Sequence, residues 1–243
     1  MRRPVLSVGR RRSGAALGLP VPRRWSEGWG DVANRLLPAC VFSLVLWARV
    51  QVAVEVYRLQ GIDPLSLVGL LAMLHQLLGA LFLVLLVGAY LVRGAPLKRC
   101  TRPGQVGLAL LGTAGALTSG FVPPLGGSPA LLAVGTALAV VGAGIALWAL
   151  AFLGRCVSVL PEVRGLVREG PYRWVRHPMY AGELLVALGV LLPFLGPLTG
   201  AALVTFFLVQ VSRALWEERA LASALPEYAA YRRRTWMLVP RLL

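Results

Sequence analysis

Residues 65–92 read LSLVGLLAMLHQLLGALFLVLLVGAYLV. Apart from Ser66, His75, Gln76 and Tyr90, every position is apolar or glycine. About 20 such residues suffice to carry a helix across a bilayer, so the stretch reads as a membrane span. The rest of the chain agrees with it. Of 243 residues, 57% are hydrophobic and 14% charged, and the mean hydropathy is +0.71. A soluble domain carries about 25% charged residues. The composition therefore describes an all-α polytopic membrane protein. The formal charge of +15 does not point to nucleic acid, because Lys and Arg concentrate between the apolar runs, where they set orientation. Cys40, Cys100 and Cys156 lack the spacing of a disulfide framework or a zinc site. With His75 and His177 as the chain's 2 histidines, no metal centre is expected.

Working outward, residues 1–35 form a basic arm rich in arginine. It has neither an apolar core nor a small-residue cleavage site, so it is expected to touch anionic lipid rather than serve as a secretory signal. A first span runs from Leu36 to Tyr57 and carries Arg49, Gln51 and Glu55. Ionisable groups inside a span are expensive and mark a paired or functional site. Arg49 and Glu55 fall on different helix faces, so each is expected to find a partner elsewhere. His75 reads as an interhelical hydrogen-bonding group. Further spans are expected at Val106–Val122 and Ala130–Leu153, both rich in small residues that let helices approach closely. The uncharged turn Pro123–Gly127 separates them.

Beyond a polar connection at 154–178 come two apolar arms, Met179–Leu192 and Leu198–Leu215, joined by Pro193-Phe194-Leu195-Gly196-Pro197. The joint is either a hairpin between two spans or a kink in a re-entrant element. The tail from Trp216 onward reads as an amphipathic extension ending in Arg232-Arg233-Arg234. The count is about six transmembrane helices (five to six). Lys and Arg crowd the arm, the 93–102 loop, the 154–178 connection and the tail, which places both termini in the cytosol of a multi-pass cell-membrane protein. Three regions follow: the arm at 1–35, membrane helices at 36–153, and a C-terminal region at 154–243 that holds the polar connection, the two arms and the tail.

The chemistry concentrates at residues 166–182, LVREGPYRWVRHPMYAG. Gly170-Pro171 forces a turn, and Pro178 biases His177 away from the α region while suiting the first turn of a helix. Arg173, Arg176 and His177 offer donors, and Tyr172, Trp174 and Tyr180 offer aromatic faces. Arg173 and Arg176 serve equally as anchors on the positive side, and Trp174 as an interfacial anchor. Glu183 lies one turn into the apolar arm, where facing lipid would be costly, so it is expected to face a cavity.

This motif, followed by Arg213, Glu217-Glu218, Glu227-Tyr228-Ala229-Ala230-Tyr231 and Val239-Pro240, resembles the isoprenylcysteine carboxyl methyltransferase family and its phospholipid N-methyltransferase relatives. The resemblance covers roughly residues 150–243. It implies an integral-membrane methyltransferase using S-adenosylmethionine. Carried over, the cofactor-binding residues are Leu166, Val167, Tyr172, His177, Pro178, Met179, Tyr180 and Glu217, and Arg213 stands at the substrate. The chain departs from the family at Leu225-Pro226-Glu227-Tyr228, one residue shorter than usual, and at the bulky Trp236-Met237.

The residue types suit such a ligand. A sulfonium, an ammonium and a ribose diol call for aromatic faces and acceptors, and a carboxylate calls for donors. Arg213 and Glu217, at i and i+4, share a helix face. A carboxylate acceptor of the methyl group needs no base. An amine must lose a proton, and His177 or Glu183 would take it. Glu218 reads as a helix-surface charge, and Arg232–Arg234 as a lipid-headgroup patch. The expected partners are membrane lipids and a lipophilic or lipidated acceptor, an isoprenylcysteine-type carboxylate or a lipid amine. Two other functions stay open: a membrane reductase resembling the sterol reductases and using NADPH, and a non-enzymatic membrane protein.

Overall fold

The computed structural model describes residues 29–60, 65–93, 96–99, 103–118, 128–160 and 162–240. The basic arm as far as residue 28, Asp63-Pro64, Cys100 and the Pro123–Gly127 turn lie outside the described residues. The described residues are mostly helical, in the order α1 (Trp29–Gln60), α2 (Leu67–Val92), α3 (Pro103–Thr118), α4 (Pro129–Leu153), α5 (Pro178–Leu191), α6 (Pro197–Ala224) and α7 (Tyr228–Arg232). Among the described residues, α1, α2, α4 and α6 are long and apolar enough to cross a membrane. The shorter α3 has 16 residues. α5 has 14, about 21 Å at 1.5 Å per residue against a hydrocarbon core of about 30 Å.

Two boundaries move. α1 starts at Trp29, within the expected arm, and passes through Pro38, which removes one backbone hydrogen bond without ending the helix. α6 runs on to Ala224 and absorbs the start of the expected tail. Hydropathy falls at Glu217, Glu218 and Arg219, but nothing there breaks a helix; the stop comes at Leu225, which precedes Pro226 and is held extended. Ser66 and Ser128 cap α2 and α4, their hydroxyls accepting from Gly69 N at 3.0 Å and Leu131 N at 3.3 Å.

The joint after α5 is a hairpin rather than a kink. A 3₁₀ turn at Leu192–Phe194 leads into α6, and Thr199 Oγ1 accepts from Gly196 N at 2.8 Å and donates to the Phe194 carbonyl at 2.7 Å. α5 and α6 then run antiparallel, with Tyr180 beside Glu217 and Glu183 beside Gln210. One feature has no counterpart in the apolar pattern. Lys98–Arg99 pairs antiparallel with Glu162–Val163, in the register Lys98 to Val163. These two short strands, β1 and β2, tie the basic loop after α2 to the polar connection after α4.

α4 and α5 pack backbone to backbone. A Cβ on Gly142 would stand 2.7 Å from the Gly182 carbonyl oxygen, and a Cβ on Gly182 would stand 2.6 Å from that of Gly142. Gly135 and Gly189 make the same close approach further along. Small residues at both faces allow this distance. Gly182→Val should force the helices apart and destabilise the protein by about 1–3 kcal/mol, read as a lowered melting temperature in detergent. An unchanged melt would show that the two backbones do not touch there.

A second anchor is Tyr90, which packs with Phe42, Leu83, Leu86 and Leu150. Its hydroxyl accepts from Val159 N at 2.7 Å, and the Arg93 guanidinium lies over its ring at 4.1 Å. The start of the polar connection is thereby pinned to α2.

Candidate active site

The site begins at Gly170. Its φ of +57° lies in the left-handed region, and a Cβ there would meet the Phe152 ring at 2.6 Å, so only glycine fits. The turn Gly170–Arg173 buries Pro171 and Tyr172. Trp174–His177 is then zipped to the tail: Trp236 N donates to the Trp174 carbonyl at 2.9 Å, Arg176 N to that of Trp236 at 2.8 Å, and His177 N to that of Met237 at 3.0 Å. Leu238 packs on Tyr180 and Ala214 beneath. His177 is the residue before α5, with φ −125° and ψ 57°, outside the α region as a residue before proline should be.

Around that histidine the polar groups converge. Its ring stacks on Tyr180, centroids 5.5 Å apart and planes 3° from parallel. The Tyr180 hydroxyl donates to Glu217 Oε1. His177 Nδ1 lies 3.6 Å from Glu217 Oε2, and Nε2 lies 3.6 Å from Glu218 Oε1. On the far side, Arg176 Nε donates to Glu218 Oε1 at 2.6 Å, and Nη1 donates to the Thr235 carbonyl and, at 3.2 Å, to that of Arg232. Tyr231 closes the other flank by donating to the Tyr172 carbonyl at 2.6 Å.

Burial alone would depress the His177 pKa, but the two carboxylates outweigh it and hold the histidine above its ordinary value. A group whose pKa rises on folding contributes stability that is complete below its unfolded value and is lost as pH climbs through the folded one. The melting temperature should therefore fall as pH rises from the ordinary histidine range through the elevated value, and His177→Gln should remove that step. A pH-independent melt over this window would contradict the ion-pair assignment.

Tyr172, Arg176, His177, Tyr180, Glu217 and Tyr231 line one open cleft. Leu166, Val167 and Met179 line it as well. Pro178 is buried at the start of α5 and is not part of the wall. Arg213 and Glu183 lie elsewhere, on a second cavity that shares Ser158 and Met179 with the first as lining residues. Arg213 donates to Gln210 Oε1 at 2.9 Å, and its guanidinium lies 4.8 Å from the centre of the Tyr180 ring. Gln210 in turn donates to Glu183 Oε2. Arg213 and Glu217 thus share a face of α6 and look into different cavities.

Three expectations need correcting. Glu218 is not a helix-surface charge; it is 4% exposed and compensated by Arg176 and His177. Arg176 is not a free anchor but the half-buried partner of that carboxylate. Arg232 does not belong wholly to a headgroup patch, since its Nε lies 3.4 Å from Glu218 Oε2. Arg173 and Trp174 are surface groups, the guanidinium 3.9 Å from the centre of the indole, which packs on Trp148. Glu55 is exposed on α1.

Sequence reasoning passed over Glu162 and Arg164, which line the cleft 2.5 Å apart. Opposite charges two positions apart in a chain with 10 acidic residues were the available signal. Tyr228, part of the quoted tail motif but assigned no role there, also lines the cleft, its buried hydroxyl without a hydrogen-bond partner.

Residues 130–227 match the phospholipid methyltransferase family. That family comprises integral-membrane methyltransferases related to the isoprenylcysteine carboxyl methyltransferases. The matched segment runs from α4 to the residue before α7 and so supplies most of the cleft's lining, while α1–α3 lie outside it. The chain is also similar to the cobalt-zinc-cadmium resistance protein CzcN of Cupriavidus metallidurans, 40% identical over 125 residues, which is 47% of this chain and 51% of that protein. The match thus spans about half the length of that relative.

Proposed function

We propose that this protein transfers a methyl group from S-adenosylmethionine to a lipophilic acceptor at the cytosolic face of the cell membrane, with both termini in the cytosol. The observation that carries the reading is the convergence of Tyr172, His177, Tyr180 and Glu217, separated in sequence, on one cleft. The donor set suits the ligand: a partly exposed carboxylate at Glu217, aromatic walls at Tyr172 and Tyr180, and a buried hydroxyl without a hydrogen-bond partner, Tyr228 Oη. Such an orphaned atom is costly and leaves a donor for a ligand group. When bound, S-adenosylmethionine supplies an electrophilic methyl group.

The chain's own residues do the positioning, which is most of the catalysis in an in-line displacement. Glu217 offers an acceptor to a diol or ammonium. The Tyr231–Tyr172 hydrogen bond and the Arg176–Glu218 pair fix the cleft walls. Ser158 and Met179 line both cavities and so stand between a donor in the cleft and an acceptor in the second cavity. Glu183, in the second cavity, would accept a proton from an amine acceptor, while a carboxylate acceptor would leave it idle.

The relative's name refers to cobalt, zinc and cadmium. Among the described residues of this chain no group of three or more His, Cys, Asp or Glu is arranged to hold a metal, and we read no acceptor from that name. The test is transfer of radiolabel from methyl-labelled S-adenosylmethionine into a total lipid extract by membranes containing the protein. Label entering the organic phase supports the reading. No transfer, together with oxidation of NADPH by the same extract, would replace it with a reductase.

A further inference from the structure

Behind Met179 the second cavity runs between the N-terminal helices and α5. Its walls are largely aliphatic, yet Arg49 on α1 and His75 on α2 bring polar groups into it. Each is 8% exposed. Arg49 Nε donates to Gln76 Oε1 at 2.9 Å, and its guanidinium lies against α2 at Gly79, where a Cβ would collide with it. Arg49 Nη2 has no hydrogen-bond partner, and neither has His75 Nδ1. The other side of that imidazole is taken by the Ala139 backbone. With one nitrogen donating to a carbonyl, the free Nδ1 of neutral histidine is an acceptor.

A guanidinium held in apolar surroundings by one neutral amide is expensive. If α1 and α2 needed only a lock, two neutral amides would serve. The charges lining this cavity among the described residues are Arg49, Arg213 and Glu183, two positive and one negative, and Glu183 is already engaged by Gln210. The cavity therefore favours an anion over a cation.

We propose that Arg49 and His75 form a binding subsite for an anionic oxygen of an amphiphile whose hydrocarbon part fills the cavity, Arg49 Nη2 donating to that oxygen and His75 Nδ1 accepting from a neighbouring O–H or N–H. The subsite lies in α1 and α2, outside the family-matched segment. It rests on the methyltransferase reading only in that it describes the acceptor for that reaction.

The test is calorimetric titration of the full chain in detergent micelles with oleate, oleyl alcohol and oleylamine, alongside S-adenosylhomocysteine. A hydrogen bond to a charged group is worth about 1.5–3 kcal/mol, so oleate should bind about 10- to 100-fold more tightly than oleyl alcohol. Arg49→Met should erase that preference, and Gly79→Ala, which displaces the guanidinium, should reduce it. Affinity for S-adenosylhomocysteine should hold in both variants. Equal binding of oleate and the alcohol, a preference that survives Arg49→Met, or tighter binding of oleylamine would each overturn the subsite. If Arg49→Met loses its fold, Gly79→Ala and the wild-type comparison decide. Loss of S-adenosylhomocysteine binding by the wild type, with oleate still preferred, would sink the methyltransferase reading and leave the subsite standing.

Discussion

Glu217→Ala is expected to weaken binding of S-adenosylhomocysteine by about 10- to 100-fold and to leave the fold in place. Its side chain is 32% exposed and faces the cleft, with the Tyr180 hydroxyl on one oxygen and His177 near the other. Removing it costs the ligand a charged acceptor. The protein loses less, because His177 keeps Glu218 at 3.6 Å. Calorimetry on the purified variant reads the affinity, and a melt without ligand reads the fold. Unchanged affinity in a folded variant would mean that this carboxylate does not touch the nucleoside.

The adjacent residue should behave in the opposite way. Glu218→Ala leaves the charge of the half-buried Arg176 uncompensated and removes a partner of His177. Breaking a buried pair in this way costs about 3–5 kcal/mol, so the melting temperature of the ligand-free protein should drop steeply. The pairing of Arg176 with the Thr235 and Arg232 carbonyls makes the tail part of the same unit, so residues 235–237 should become accessible to protease along with it. Arg176→Met combined with Glu218→Leu should recover part of the loss, since a buried pair replaced by apolar groups is often neutral. A double variant no more stable than Glu218→Ala would show that the energy lies elsewhere in the cluster. Neighbouring carboxylates on α6 thus divide two tasks, one facing the cleft and the other holding the wall.

Apolar length made most of the helices readable. Leu65–Val92 and Ala130–Leu153 differ from α2 and α4 by a residue or two, because serine caps and the ends of apolar runs coincide there. Hydropathy misleads where charge and helix end part company. Glu217 and Glu218 ended the apolar signal, while α6 continued to Ala224. The His177-Pro178 step was legible for a different reason, proline's steric effect on the residue before it.

Side-chain pairing was less accessible. Nothing in the sequence says which member of a Glu-Glu pair faces a half-buried arginine, since adjacent helical positions lie about 100° apart. The parallel bridge between Val175 and Trp236 joins segments distant in sequence and carries no local pattern. Arg49 and His75 were legible as costly groups in a span, but their shared cavity needed the packing of α1 on α2.

The most direct measurement is calorimetric titration of the full chain in detergent with S-adenosylhomocysteine and, separately, with NADPH. A membrane methyltransferase built on the His177–Glu217 cleft binds S-adenosylhomocysteine saturably and gives no signal with NADPH. Saturable NADPH binding with no response to S-adenosylhomocysteine would contradict it.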